Sequence, residues 1–114
     1  MPYIETKLSV KLNEEQKDLL QKKLTNAVSV AFGKPTAYIM AGIEDDKSLY
    51  MGGKKAENGA YLSVSLLGTA SKESCNRLTS EICSILKSDC GINPANVYVT
   101  YHPVDLWGWN NMMF

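Results

Sequence analysis

The chain has 114 residues, 45% of them hydrophobic, and its 12 lysine and arginine side chains balance 12 acidic ones. That is one domain's worth of chain with room for a small core, and zero net charge excludes the clustered basic footprint of a nucleic-acid surface and a polybasic membrane patch. No apolar run approaches the ~20 residues that span a bilayer, and the odd set Cys75, Cys83 and Cys90 lacks the Cys-x-x-Cys spacing of a zinc site or a redox pair.

Met1-Pro2-Tyr3-Ile4-Glu5-Thr6-Lys7 has neither the basic nor the apolar region of a secretory signal, so a reduced, cytoplasmic chain is expected. Met1 to Val10 reads as a strand with Ile4, Leu8 and Val10 on one face and Tyr3, Glu5, Lys7 and Ser9 on the other. Thr6 interrupts the apolar face but suits a strand. Asn13 and Gln16 have the spacing of a capping box, with Glu14 and Glu15 at the positive end of the helix dipole. Leu20, Leu24, Ala27, Val28 and Ala31 then recur at the steps of one buried helix face. Gly33 stops that helix and Pro35 prevents its continuation. The apolar run Tyr38 to Ile43 reads as a strand covered on both faces.

The second half repeats this order. Tyr61 to Leu67 alternates, with Leu62, Val64 and Leu66 on one face. Ser71 can cap a helix whose inner stripe is Cys75, Leu78, Ile82, Ile85 and Leu86, and Gly91 and Pro94 close it. Val97 to Tyr101 is the last strand. The expected domain spans 1–114, with repeats over about 1–45 and 60–103 and a tail over 104–114. It is an α+β fold: two pseudo-symmetric βαβ repeats, each with parallel strands, make a four-stranded sheet with both helices on one face. The other face then needs a cover that this chain does not supply, which points to a symmetric oligomer. Lys47–Asn58 and Leu106–Trp109 are expected to add edge strands that pair with a neighbouring subunit.

Most catalytic inventories are empty. His102 is the only histidine, which leaves no histidine metal cluster and little scope for a Ser–His–Asp triad; it reads as a solvated turn residue before Pro103. Asp45-Asp46 reads as loop charge, and Gly52-Gly53-Lys54-Lys55 lacks the spacing of a phosphate loop. The cysteines read as small buried hydrophobes. Pro2 stands apart: trimming of Met1 would turn its nitrogen from an amide into a basic secondary amine. Lys34, at a helix C-terminus, can serve ordinary capping or bind an anion.

Met1-Pro2, Gly33-Lys34-Pro35 with Tyr38-Ile39, Gly52-Gly53, Leu66-Leu67-Gly68, Val97-Tyr98-Val99 and Gly108-Trp109-Asn110-Asn111 before Phe114 occur in an order and spacing that resemble the macrophage migration inhibitory factor group of the tautomerase superfamily, over essentially the whole chain. The resemblance also extends to D-dopachrome tautomerase. It implies a homotrimer of βαβ repeats with pockets at the subunit interfaces, and a keto–enol tautomerase that takes a small aromatic keto acid of the phenylpyruvate or hydroxyphenylpyruvate type, or a dopachrome-type substrate. Pro2 would be the general acid/base, active only after removal of Met1. Lys34 would bind the substrate carboxylate and stabilise developing charge. Leu67 would offer its backbone N–H, Tyr98 would reach in from the adjacent subunit, and Tyr3, Tyr38, Trp107, Trp109 and Phe114 would surround the pocket mouth. No cofactor and no metal are implied. Thr100 stands where many members have an asparagine at a substrate contact, and Gly59 and Leu62 replace the Cys-x-x-Cys of some members, which removes a thiol-oxidoreductase role. The alternative implied by the same group is a cytokine-like protein with a vestigial pocket, secreted without a signal peptide and acting on a receptor.

Overall fold

The computed structural model describes residues 1–114. Strand β1 (Pro2–Leu8) is followed by helix α1 (Glu14–Phe32), a 3-10 turn over Thr36–Tyr38 and strand β2 (Met40–Glu44). After the short strands β3 (Tyr50–Met51) and β4 (Lys54–Lys55), the order recurs: β5 (Ala60–Leu67), helix α2 (Lys72–Cys90), a second 3-10 turn over Pro94–Asn96, and β6 (Val97–Val104). The tail adds β7 (Gly108–Trp109) and β8 (Met112–Met113). The main sheet runs β2-β1-β5-β6, with β1–β2 and β5–β6 parallel and the two repeats joined antiparallel through β1–β5.

Each helix begins and ends as its residues dictate. Asn13 accepts a hydrogen bond from Gln16 N while the Gln16 side chain accepts one from Asn13 N, the full reciprocal box. Ser71 caps α2 through Ser74 N, and Gly33 and Gly91 end the helices in the left-handed conformation. Ile4 and Leu8 of β1, Leu62 and Val64 of β5, Leu20, Leu24 and Val28 of α1, and Leu78, Ile82 and Leu86 of α2 form one buried core between the sheet and the helices. Thr6 lies within that layer, fully buried, and its hydroxyl has no hydrogen-bond partner.

Three sequence expectations need correction. β1 ends at Leu8 rather than Val10, because Ser9 turns aside to Gly59: its hydroxyl donates to Gly59 O at 3.2 Å and accepts from Gly59 N at 2.7 Å. β2 begins at Met40 rather than Tyr38, because Pro35 starts a 3-10 turn and Ile39 N still donates to Thr36 O. As an edge strand, β2 packs Ala41 and Ile43 on the core and leaves Met40 exposed on the other face. Within the chain, residues 47–58 and the tail each fold back as a hairpin, β3–β4 around Gly52-Gly53 and β7–β8 around Asn110-Asn111, with φ of 50° and 68° at the two asparagines. Positive φ at both central positions is the geometry that matches strand twist in a two-residue hairpin, and Gly and Asn adopt it readily. Finally, Asp45 is no free loop charge: it accepts from Leu12 N at 2.7 Å and pairs with Lys17 at 3.4 Å, tying the end of β2 to the start of α1. No helix is long and apolar enough to cross a membrane.

Candidate active site

The parallel pairing of β1 with β2 places the first residue of the fold beside the turn that follows α1. Pro2 is buried there, its backbone paired with Leu66 of β5. Next to it opens a cleft of about 560 Å3. Its walls come from the N-terminus (Met1, Pro2, Tyr3), the turn after α1 (Ala37 to Met40) and the tail (Trp107 to Trp109). Met1 reaches across one end of the cleft, where its carbonyl accepts a hydrogen bond from Leu67 N at 3.2 Å. The N–H that the family resemblance singles out is therefore spoken for while Met1 is attached.

Lys34 is set by the helix cap. Gly33 turns the chain with φ 63°, Lys34 N donates to Ser29 O at 3.2 Å, and the Ser29 hydroxyl donates to Lys34 O. Its side chain is half-buried and does not line the cleft wall, yet its charge reaches the chain terminus. Burial first, and the Lys34 charge second, hold the Met1 amine below the usual range of a terminal amine.

The aromatic residues of the resemblance converge. Tyr38 meets Trp109 edge to face at 5.7 Å, and Trp109 stacks on Phe114 at 5.9 Å with 13° between the rings. Such pairs stabilise the wall beyond the area they bury. The β7–β8 hairpin is what carries Trp109 and Phe114 back to Tyr38, with Phe114 N donating to Trp107 O.

Tyr98 and Thr100 do not join this chain's own cleft. Lys7 pairs with Tyr61, which pairs with Tyr98, so Tyr98 lies five residues along the sheet from the Pro2–Leu66 row, or roughly 17 Å at strand spacing. The role that the resemblance gives to both residues requires a second subunit. Thr100 is engaged within the chain: its Oγ1 lies 2.8 Å from Tyr61 Oη and 2.9 Å from His102 Nε2. His102 is thus solvated as expected but is a strand residue of β6 with a side-chain partner, not a turn residue. Pro103 can follow it within the strand because β6 is an edge. Tyr101, three positions from Tyr98, points the other way and bonds Thr79 and Cys75 O under α2. The three cysteines are half-buried rather than buried, and burial pushes each thiol above its ordinary pKa, away from nucleophilic use.

Sequence reading missed Ala37 and Met40 in the cleft wall and Tyr61 beside Thr100. Treating Tyr38 to Ile43 as one strand hid the first two, since the turn is what brings Ala37 and Met40 to the cleft. The pairing of β5 with β6 alone places Tyr61.

A sequence profile of the family described as Macrophage migration inhibitory factor (MIF) matches residues 1–114. The chain belongs to the macrophage migration inhibitory factor family. Among solved structures it is similar to MIF2 of Leishmania major, at 26% identity and a TM-score of 0.91, with 100% of this chain and 97% of that one covered. It is also similar to macrophage migration inhibitory factor of Toxoplasma gondii, at 21% identity and a TM-score of 0.90, with 98% and 99% covered. A third structure of the same fold, Pt0534 inactivated by 2-oxo-3-pentynoate, is 19% identical with a TM-score of 0.79 over 90% of this chain and 85% of that one. The two helices and mixed four-stranded sheet are therefore the tautomerase/MIF fold, and membership of this family supports a tautomerase or MIF-like role in general terms.

Proposed function

We propose that the Pro-terminated chain is a keto–enol tautomerase for small aromatic 2-oxo acids of the phenylpyruvate or hydroxyphenylpyruvate type, working as a homotrimer. The observation that carries this reading is the placement of Pro2: buried, at the edge of an aromatic-walled cleft, next to a Met1 amine that feels the Lys34 charge. Once Met1 is removed, the Pro2 nitrogen is a secondary amine. Burial and the Lys34 cation both disfavour its protonated form, which keeps it free to accept a proton near neutral pH. It takes the proton from the carbon next to the ketone and returns a proton to the ketone oxygen, which gives the enol; the reverse direction moves the proton from the enol oxygen back to carbon. Lys34 binds the carboxylate and steadies the oxygen charge that develops as the proton leaves. Tyr38, Trp109 and Phe114 hold the substrate ring. Removal of Met1 also releases Leu67 N–H, so one cleavage creates the base and frees a donor for substrate oxygen.

Trimer formation is supported by the uncovered sheet face, where Met40 and Tyr98 are 68% and 65% exposed. It would bring Tyr98 and Thr100 of one subunit to the cleft of the next. Inactivation of Pt0534 by 2-oxo-3-pentynoate supports a 2-oxo acid as the substrate, and the aromatic wall of the cleft favours one with a ring.

The test is a phenylpyruvate tautomerase assay on protein whose N-terminus has been verified by mass spectrometry. Processed protein turns over; the Met1-retaining form and processed Pro2→Gly lose about 10²- to 10⁴-fold in kcat/KM, the usual worth of a positioned general base. Equal rates with and without Met1 defeat the mechanism. A cytokine-like role in which the cleft is idle rests on the family description alone. Receptor engagement that survives Pro2→Gly would favour it.

A further inference from the structure

On the face of the sheet away from the helices, Tyr3 of β1 stands directly across from Met40 of β2. Its side chain does not stay there. The phenol leans diagonally along the sheet to Gly42, where a Cβ would lie 2.7 Å from Tyr3 Oη, 3.5 Å from Cζ and 3.6 Å from Cε1. Diagonal neighbours two residues on are within reach of an aromatic side chain. The lean is away from Pro2, because β1 and β2 run parallel from the Pro2 end. Tyr3 is still one of the residues that line the cleft. Burial, Glu5 and Glu44 together raise its pKa, which agrees with a hydroxyl lying over β2 near Glu44.

We propose that Gly42 is a specificity-determining position: by having no side chain it gives Tyr3 a resting place over β2, and so keeps the cleft beside Pro2 wide enough for an aromatic substrate. Gly42 is a positioning residue that acts only through Tyr3. Its φ lies outside the left-handed region, so alanine brings no backbone strain. The atom that a methyl group would strike is the tip of a movable side chain, and the variant is expected to fold. What yields is the Tyr3 ring, which must swing back toward Met40 and the cleft.

The proposal rests on the tautomerase reading for its kinetic test. With processed protein and phenylpyruvate, Gly42→Ala is expected to raise KM by about tenfold, the scale of a lost group's room in an apolar pocket, with kcat within about twofold. Tyr3→Phe/Gly42→Ala removes the clashing oxygen and leaves ordinary contacts at 3.5 and 3.6 Å, so its KM is expected to return to that of Tyr3→Phe alone. An unchanged KM in Gly42→Ala, or an increase that persists in the Tyr3→Phe background, overturns the proposal. A second measurement does not need turnover. Nuclear Overhauser contacts from the Tyr3 ring should reach the Gly42 α-protons in the parent, and shift to Met40 or Pro2 in Gly42→Ala. Ring contacts that do not move overturn it. If the parent shows those contacts and their shift but no keto acid is turned over, the tautomerase reading fails and the placement of Tyr3 by Gly42 stands.

Discussion

Gly33 and Gly91 both stop their helices in the left-handed conformation, with φ of 63° and 66°, and each leads through a 3-10 turn into an outer parallel strand. The residue after the glycine is where the two repeats part. In the second repeat it is Ile92, fully buried, its N–H donating to Leu86 O at 3.2 Å as it folds onto the last turn of α2. An apolar side chain at this position commonly seals a helix end. In the first repeat it is Lys34, half-buried, which gives up that seal and directs a cation toward the chain terminus. The same contrast recurs on the inner strands. Thr6 sits at the middle of the buried row Ile4–Thr6–Leu8, where the second repeat has Val64 in the row Leu62–Val64–Leu66. One architecture, used twice, is sealed by packing after α2 and left polar after α1, on the side of the cleft beside Pro2.

This contrast can be broken from either side. Ile92→Ala should cost about 3 kcal/mol of stability, the usual loss for truncating a buried isoleucine, with KM for phenylpyruvate unchanged; denaturant melts beside steady-state kinetics check both halves. Lys34→Ala should do the reverse: kcat/KM falls by about tenfold to a hundredfold as carboxylate binding and charge stabilisation are lost, while the denaturation midpoint barely moves. A large stability loss in Lys34→Ala would show that the two positions do the same structural work.

The pH profile sharpens the comparison further. An amine with a depressed pKa is neutral, and so a competent base, down to a lower pH than an ordinary terminus. The kcat/KM of processed protein should therefore rise with pH and level off below the ~8 of an unperturbed terminal amine. In Lys34→Ala the midpoint should move up, but only part of the way back, because burial, which outweighs the Lys34 charge at the Met1 amine, is still present at Pro2. The smallest expected effect is Thr6→Val, which makes the first repeat match the second. Replacing a buried hydroxyl that has no partner by a methyl group of the same shape should stabilise the chain by about 1 kcal/mol, measured by thermal or urea melts.

The amino-acid sequence by itself determined the repeat, the helix ends and the core. Asn13 with Gln16, Ser71, Gly33 and Gly91 act on their own neighbours, and the 3.6- and 2-residue periods place Leu24, Val28, Ile82, Ile4 and Val64 inside whatever lies on the far side. Pro2 and Lys34 were legible as a pair only through family resemblance, since a proline at a chain start and a lysine after a helix have everyday uses. Tertiary structure decided the rest, because it depends on contacts between residues distant in the chain. The order β2-β1-β5-β6 sets Pro2 beside the turn after α1 and puts Tyr98 at the other end of the sheet. The asparagine turn of the tail folds Trp109 and Phe114 onto Tyr38. Likewise, the bond from Leu67 N to Met1 O and the lean of Tyr3 over Gly42 come from strand register, which no local pattern of side chains encodes.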